Sequence, residues 1–435
     1  MMKRFSFFAN MTSGLFDRMP QPSAAASNES IESMAAALLS GRGEISGMRR
    51  AGELLGRYHG LAAPGKLTFF RWMATGLDVQ PEAIIQAAEA YRDRPGADSY
   101  ARLAAAAEPP RQELLRRLNQ APGATRDLVA MRRDLLGLLR GHPDLAPLDL
   151  DFSHLFRSWF NRGFLVLRPI DWHTPANILE KIVRYEAVHA INDWADLQRR
   201  VMPGDRRCFA FFHPSMQDEP LIFVEVALCK DIPGSVQDLL AENRAELAAK
   251  DIGTAVFYSI SNCQEGLRGI SFGNSLIKQV VQELLQELPQ LQRFVTLSPI
   301  PRLMDFIRTQ DSDAARLIVA AAERGDSSAV KAQAQELRRL AARYLAEERR
   351  PDGTPLDPVA RFHLGNGAEL HRVHALADVS DNGMRQSASA MVSYLYDPKV
   401  VEANHEAFAT QNAVAMSREI RSLLSGDRNM GKTRE

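Results

Sequence analysis

The sequence TAVFYSISNCQEGLRGISFGNSLIKQVVQEL, residues 254–284, decides the fold class, because it predicts a strand, a glycine-rich loop and a helix in succession. Its first eight residues are mainly β-branched and aromatic, which predicts a buried strand at 254–261. An amphipathic pattern predicts a helix from about Phe272 to Glu287. Three glycines punctuate the connection: Gly266, Gly269 and Gly273. Backbone N–H groups that converge at a helix N-terminus suit a pyrophosphate.

Polar side chains of the same loop add to this prediction. Ser271, Asn274 and Ser275 supply hydrogen-bond donors, and Arg268 supplies a positive charge. The glycine spacing is GxxGxxxG, and no GK[ST] follows, so the loop is neither a Walker A motif nor a dinucleotide fingerprint. From spacing alone, an ordinary glycine-rich connection is an equally good interpretation.

The surrounding sequence predicts an α+β region with a mostly antiparallel sheet. Strands are expected at 164–170, 208–214, 221–228, 294–301 and in the final SYLY block, and helices at 175–186 and 312–350. Before this region, residues 31–145 are alanine-rich and helical in pattern. Leu128, Met131, Leu135 and Leu138, for example, share one helical face.

This pattern predicts four parts of the chain. Residues 1–30 form a flexible lead-in, and residues 31–145 form a helical bundle that also oligomerises. Residues 150–420 form the α+β domain, with a helical insertion at about 305–350. Residues 421–435 form a frayed polar tail.

Composition excludes several classes of protein. The 435 residues carry 53 basic and 53 acidic side chains, so no basic excess indicates nucleic-acid binding. No apolar run approaches the ~20 residues that span a bilayer, so no membrane partner is expected. The three cysteines, Cys208, Cys229 and Cys263, have no CxxC spacing. They favour a reducing compartment, which we expect to be the cytoplasm.

Histidines supply the remaining candidates for chemistry. His363, in RFHLGNGAEL, is expected beside glycine turns at a strand edge. It is either a proton donor in catalysis or a polar side chain whose hydrogen bonds are only structural. His371 and His374 form an HxxH pair that would share a metal on a helix. Without a third ligand nearby we favour a structural role for the pair, and expect no metal.

Five separated blocks, taken together, resemble the malonyl-CoA decarboxylase family: RRCFAFFHPSMQDEPLIFVEVAL, the stretch from Ala255 quoted above, LSPIP, RFHLGNGAELHRVHALADVS and SYLY. The resemblance runs from about Trp159 to Tyr396. It implies an N-terminal all-helical domain followed by a domain of the GNAT acyltransferase type. It also implies cleavage of malonyl-CoA to acetyl-CoA and CO2 without a metal or organic cofactor, within fatty acid metabolism.

The resemblance also implies site residues. The family's serine maps onto Ser261, with Ser259 as the alternate, its histidine onto His363, and a tyrosine onto Tyr396. The loop that binds the CoA pyrophosphate maps onto Gln264, Gly266, Arg268, Gly269, Ser271, Gly273 and Asn274. We expect Ser261 and His363 to act on the same substrate atoms. We also expect a homotetramer, held together partly by the helical bundle. The alternatives are an acyl-CoA-dependent N-acyltransferase of the same fold and a catalytically silent CoA-binding scaffold.

Overall fold

The computed structural model describes residues 29–430, except positions 42, 271 and 273–275. The chain divides into two compact units, the first ending at Ala124 and the second beginning at Thr125. This division lies about 20 residues before the boundary expected near 145, so the helix Ala124–Leu138, which was assigned to the bundle, belongs almost wholly to the second unit. The predicted lead-in at 1–30 lies almost wholly outside the described residues.

The first unit is helical, as the sequence predicts. Its helices are α1 (Ile31–Ser40), α2 (Glu44–His59), α3 (Ala63–Gly76), α4 (Pro81–Asp93), α5 (Ala97–Ala107) and α6 (Pro110–Leu118). Tyr58, Phe69 and Phe70 form a buried aromatic group where α2 and α3 meet. In the hairpin of α4 and α5, by contrast, large apolar side chains are exposed: Ile85 is 58% exposed and Tyr100 is 62% exposed.

The second unit contains helices and a sheet. Its helices are α7 (Ala124–Leu138), α8 (Ala146–Trp159), α9 (Ala176–Tyr185), α10 (Trp194–Val201), α11 (Val236–Leu240), α12 (Leu276–Glu287), α13 (Leu303–Arg308), α14 (Asp313–Glu323), α15 (Ser327–Ala332), α16 (Ala334–Ala346), α17 (Pro358–Gly365), α18 (Asp381–Ser387), α19 (Val401–Gln411) and α20 (Arg418–Met430). Its strands are β1 (Val166–Ile170), β2 (Arg206–Phe212), β3 (Ile222–Cys229), β4 (Thr254–Asn262), β5 (Arg293–Thr296), β6 (Ser298–Pro299), β7 (Glu369–His374) and β8 (Met391–Leu395).

Within the described chain, these strands form one sheet in the order β1-β2-β3-β4-β5-β8-β6, with β7 also paired to β8. Neighbours are antiparallel except β4 and β5, which run parallel from Thr254↔Arg293 to Phe257↔Thr296. Beyond Phe257, β4 continues to Asn262 paired with β3, while β5 ends. The sheet therefore opens between its two halves, beside the end of β4.

One face of the sheet packs against helices through a continuous apolar core. Ile178 and Ile182 of α9 and Leu197 of α10 meet Phe212 and Phe223 there. Hydrophobic burial of this kind supplies most of the driving force for folding. The expected fold class, a helical region followed by a mixed-sheet α+β region with a helical insertion, is confirmed.

Several local expectations differ from the structure. The predicted strand at 294–301 is two short strands, because Leu297 separates the β5 and β6 pairings. The tail expected to fray from residue 421 is helical as far as Met430. In the described part of the chain, no helix is both long and apolar enough to cross a bilayer.

Candidate active site

A cavity of about 650 Å³ lies where the sheet opens. From β4 it is lined by Phe257, Tyr258, Ile260 and Asn262, and from the opposite side by Ser298 and His363 among others. Gly269 of the glycine-rich loop also lines it. A volume of several hundred cubic ångströms with a few convergent polar groups is typical of small-molecule sites.

His363 lies in the last turn of helix α17, so the expectation of a strand edge is wrong. Asp357 caps this helix by accepting a hydrogen bond from the Ala360 N–H at 2.8 Å, and Pro358 occupies its first position. An Asp-Pro pair is a typical helix start, because proline has no N–H to leave unsatisfied there. This signal was present in the sequence, but the glycines at 365 and 367 favoured a strand.

The His363 ring is buried and contacts two hydroxyl groups. Its Nε2 lies 3.1 Å from Ser298 Oγ, and its Nδ1 lies 2.8 Å from Tyr396 Oη. The ring also stacks on Tyr394, with centroids 4.6 Å apart. Ser298 Oγ in turn donates to Thr296 Oγ1 at 2.9 Å. Thr296, Ser298, His363 and Tyr396, which directly follows β8, thus form one hydrogen-bonded chain, and Ser298 and His363 of this chain line the cavity.

Burial determines the protonation state of this chain. It lowers the pKa of His363 to about 3 and raises the pKa of Tyr396 well above 10, because a charge is poorly solvated there. The imidazole is therefore neutral and the phenol protonated near pH 7. Ser298 donates its proton to Thr296, so its oxygen must accept a hydrogen bond from His363. The ring is therefore assigned as the Nε2–H tautomer, in which Nε2–H donates to Ser298 and Nδ1 accepts from Tyr396.

The neutral state of His363 can be tested by NMR with ¹³C-labelled histidine. We expect its signal, identified by its absence in His363→Asn, to show no protonation between pH 8 and pH 5. Because the pKa of His363 is lower in the folded chain than in the unfolded chain, the neutral ring contributes to the free energy of unfolding above pH 6.5. This contribution is lost as the pH falls toward 3. A titration midpoint near the ordinary value of ~6.5 would contradict the buried geometry.

Of the described residues of β4, Ser259 and Ser261 do not line the cavity, although Tyr258, Ile260 and Asn262 do. A shared action of Ser261 and His363 on the same substrate atoms stays a prediction. The hydroxyls of the two serines donate to the two oxygens of Glu186, at 2.7 and 2.9 Å. Glu186 Oε1 also accepts the N–H groups of Val188 and His189, both at 2.9 Å. The glutamate therefore fixes β4 to the segment after α9, and Val188 of that segment lines the cavity.

Neither Glu186 nor Ser298 was predicted as a site residue from the sequence. Two serines at alternate positions of a buried strand must have a polar partner, since an unpaired buried hydroxyl costs free energy. That requirement pointed to an acceptor such as Glu186, but not to which one. Ser298 lay in the LSPIP block, within the strand predicted at 294–301, and nothing in that block marked its hydroxyl as a partner of His363.

Replacing Glu186 with alanine is expected to destabilise the fold, because four donors would lose their acceptor. We expect roughly 2–3 kcal/mol less free energy of unfolding, measured by urea denaturation. Glu180→Ala, on helix α9 six residues before Glu186, is the matched control, because that side chain is 67% exposed. Equal stability of the two variants would show that the Glu186 hydrogen bonds contribute little.

The glycine-rich loop is described only in part. Gln264 donates its side-chain amide to the Pro220 carbonyl at 3.0 Å, which gives it a structural contact. Gly269 has a φ of +79°, a left-handed conformation that favours glycine. The N–H groups of Leu267, Arg268 and Ile270 donate within the loop itself. Ser271, Gly273 and Asn274 lie outside the described residues.

The HxxH pair lies on strand β7, so the helical spacing that a shared metal would need is absent. His371 Nδ1 lies 3.2 Å from Glu369 Oε1, and His374 Nε2 lies 2.9 Å from Ser393 Oγ. Within the described residues, no group of three or more His, Cys, Asp and Glu side chains is arranged to hold a metal ion.

Comparison with known proteins gives two matching family models. The malonyl-CoA decarboxylase N-terminal domain matches residues 77–160, and the malonyl-CoA decarboxylase C-terminal domain matches residues 163–434. The mitochondrial malonyl-CoA decarboxylase of Anser anser anser is 36% identical over 72% of this chain and 69% of its own length. The mouse enzyme is 34% identical over 76% of this chain and 74% of its own.

Solved structures agree with these matches. The malonyl-CoA decarboxylase of Rhodopseudomonas palustris superposes with a TM-score of 0.84 at 49% identity, covering 90% of this chain and 98% of that one. The enzyme of Agrobacterium vitis gives the same TM-score and identity, covering 91% of this chain and 100% of that one.

Proposed function

The chain belongs to the malonyl-CoA decarboxylase family, and we propose that it converts malonyl-CoA to acetyl-CoA and CO2 in the cavity beside His363. The observation that carries this proposal is the Ser298–His363–Tyr396 chain of hydrogen bonds, in which Ser298 and His363 line the cavity. The reaction makes the enzyme a carboxy-lyase.

Decarboxylation requires a group that accepts the electron pair of the broken bond and a group that donates a proton to the α-carbon. When the bond from the α-carbon to the carboxylate breaks, its electron pair stays on the α-carbon and delocalises onto the thioester oxygen as an enolate. The thioester itself therefore accepts the electrons. A hydroxyl or N–H donor directed at the enolate oxygen stabilises it, and one such donor is typically worth about 3 kcal/mol.

The hydrogen-bonded chain provides a route for the proton without an imidazolium ion. Ser298 Oγ–H turns from Thr296 and protonates the α-carbon, Nε2–H of His363 restores the serine, and Tyr396 O–H restores the histidine at Nδ1. When the products leave, solvent in the cavity protonates Nε2 of His363, and the proton on Nδ1 returns to Tyr396, which restores both groups for the next turnover. A relay through a neutral imidazole fits the low pKa of His363, since a proton is accepted at one nitrogen as it leaves the other.

Product analysis tests the activity directly. Purified protein is incubated with malonyl-CoA in the absence of any amine, and acetyl-CoA is followed by mass spectrometry. Formation of acetyl-CoA and CO2 in equal amounts is the expected result. Turnover only with an added amine would identify an N-acyltransferase, and binding of CoA without any product would identify a catalytically silent scaffold.

We also propose that the protein is a homotetramer in the cytoplasm. The outer face of the α4–α5 hairpin supports self-association, because Ile85, Tyr91 and Tyr100 expose apolar surface there. The free thiols of Cys208 and Cys263, both buried, suit a reducing compartment. Light scattering at micromolar concentration should give about four times the chain mass of 48.4 kDa. A mass of one chain would refute self-association.

A further inference from the structure

Arg132 of helix α7 contacts the glycine-rich loop from within the fold. Its Nη1 donates to the carbonyl oxygens of Gly266 and Arg268, at 2.7 and 3.0 Å. Its Nε donates to Asp149 Oδ1 at 2.8 Å, and its Nη2 donates to Ser153 Oγ at 3.0 Å. The guanidinium group is 3% exposed, so each of its three nitrogens is occupied by protein rather than solvent.

The helix backbone also lies against the loop. A Cβ atom added at Gly266 would lie only 1.9 Å from the Val129 carbonyl oxygen, a distance that no side chain could tolerate. Val129 and Arg132 are three residues apart and therefore share one face of the helix. The loop is thus supported at Gly266 by close packing and at two carbonyls by one buried charge.

We infer that Arg132 is a positioning residue for the CoA pyrophosphate, acting through the loop without touching CoA. The inference rests on the proposed function, which brings CoA to this loop. By holding the Gly266 and Arg268 carbonyls inward, Arg132 keeps their negative ends away from an anionic ligand. Gly269, which lines the cavity, is the residue directly after Arg268. A helix matched to the family's N-terminal domain thereby shapes substrate binding in the C-terminal domain.

The test compares Arg132→Gln with Arg133→Gln, whose side chain is 55% exposed and pairs with the adjacent Asp134. We expect Arg132→Gln to weaken CoA binding at least about tenfold by calorimetry, since charge-assisted hydrogen bonds are lost. Arg133→Gln should bind CoA normally. Because calorimetry needs no turnover, this result is independent of whether the chain decarboxylates malonyl-CoA.

A truncated substrate separates positioning from general damage. Malonyl-pantetheine lacks the pyrophosphate, so kcat/KM for it should change less than about threefold in Arg132→Gln while kcat/KM for malonyl-CoA falls tenfold or more. Equal losses on both substrates, or unchanged CoA affinity, would overturn the inference. If Arg132→Gln does not fold, Asp149→Asn, which removes the negative charge paired with Nε, should show the same selective loss. Normal CoA affinity in a folded Asp149→Asn would then overturn it.

Discussion

Replacement of His363 by asparagine is expected to lower kcat for malonyl-CoA decarboxylation at least about 100-fold, the usual scale for a lost acid–base group. Asparagine is close to histidine in size and can hydrogen-bond to Ser298. It cannot accept a proton at one position while releasing another, so the relay from Tyr396 to Ser298 stops. Affinity for CoA should change little, because His363 lies at the reacting end of the cavity.

His374→Asn is the matched control for that experiment. His374 is also buried, is also hydrogen-bonded to a serine and also has a lowered pKa, of about 4, but it lies on β7. It should lose stability while the folded enzyme keeps a normal kcat. Full activity in a folded His363→Asn enzyme would remove the histidine from the mechanism.

Ser298→Ala and Ser261→Ala should give opposite results. Ser298 lies on the cavity wall in contact with His363, so its loss should reduce kcat about 100-fold with little change in thermal stability. Ser261 donates to Glu186 instead, so its loss should lower the melting temperature and leave kcat within a few-fold of normal. Steady-state kinetics and thermal unfolding of both variants provide the measurements.

The reverse pattern would restore the assignment that the family resemblance implied. An inactive Ser261→Ala enzyme with full stability, together with an active Ser298→Ala enzyme, would mean that the substrate reaches the Glu186 side of β4. Ser259→Ala serves as an additional comparison, because this serine makes the other hydrogen bond to Glu186.

Local sequence patterns were sufficient to predict the strand at 254–261, the two strands near 208–214 and 221–228, and the helices near 312–350. Hydrophobic periodicity depends on near neighbours, and these elements are stabilised by side chains of their own segments. The orientation of β4 was not predictable in the same way. Its residues are buried on both faces, so nothing in the strand itself showed which face meets the cavity.

The partner of His363 depends on contacts between distant parts of the chain. Ser298 approaches the histidine because β6 pairs with β8 through Ser298↔Val392, while β8 also leads to Tyr396. The contact of Arg132 with Gly266 likewise joins residues 134 positions apart. Neither pairing leaves a periodic signal in the sequence, so a single sequence could supply the residue types but not the contacts between them.

The central claim is that Ser298 and His363 act as one unit on malonyl-CoA, and the rate of acetyl-CoA formation by the Ser298→Ala/His363→Asn double variant tests it most directly. Residues that serve the same step have effects that do not add. We expect the double variant to be only a few-fold slower than the slower single variant, with unchanged affinity for CoA. A rate reduced by the product of the two single effects would contradict it.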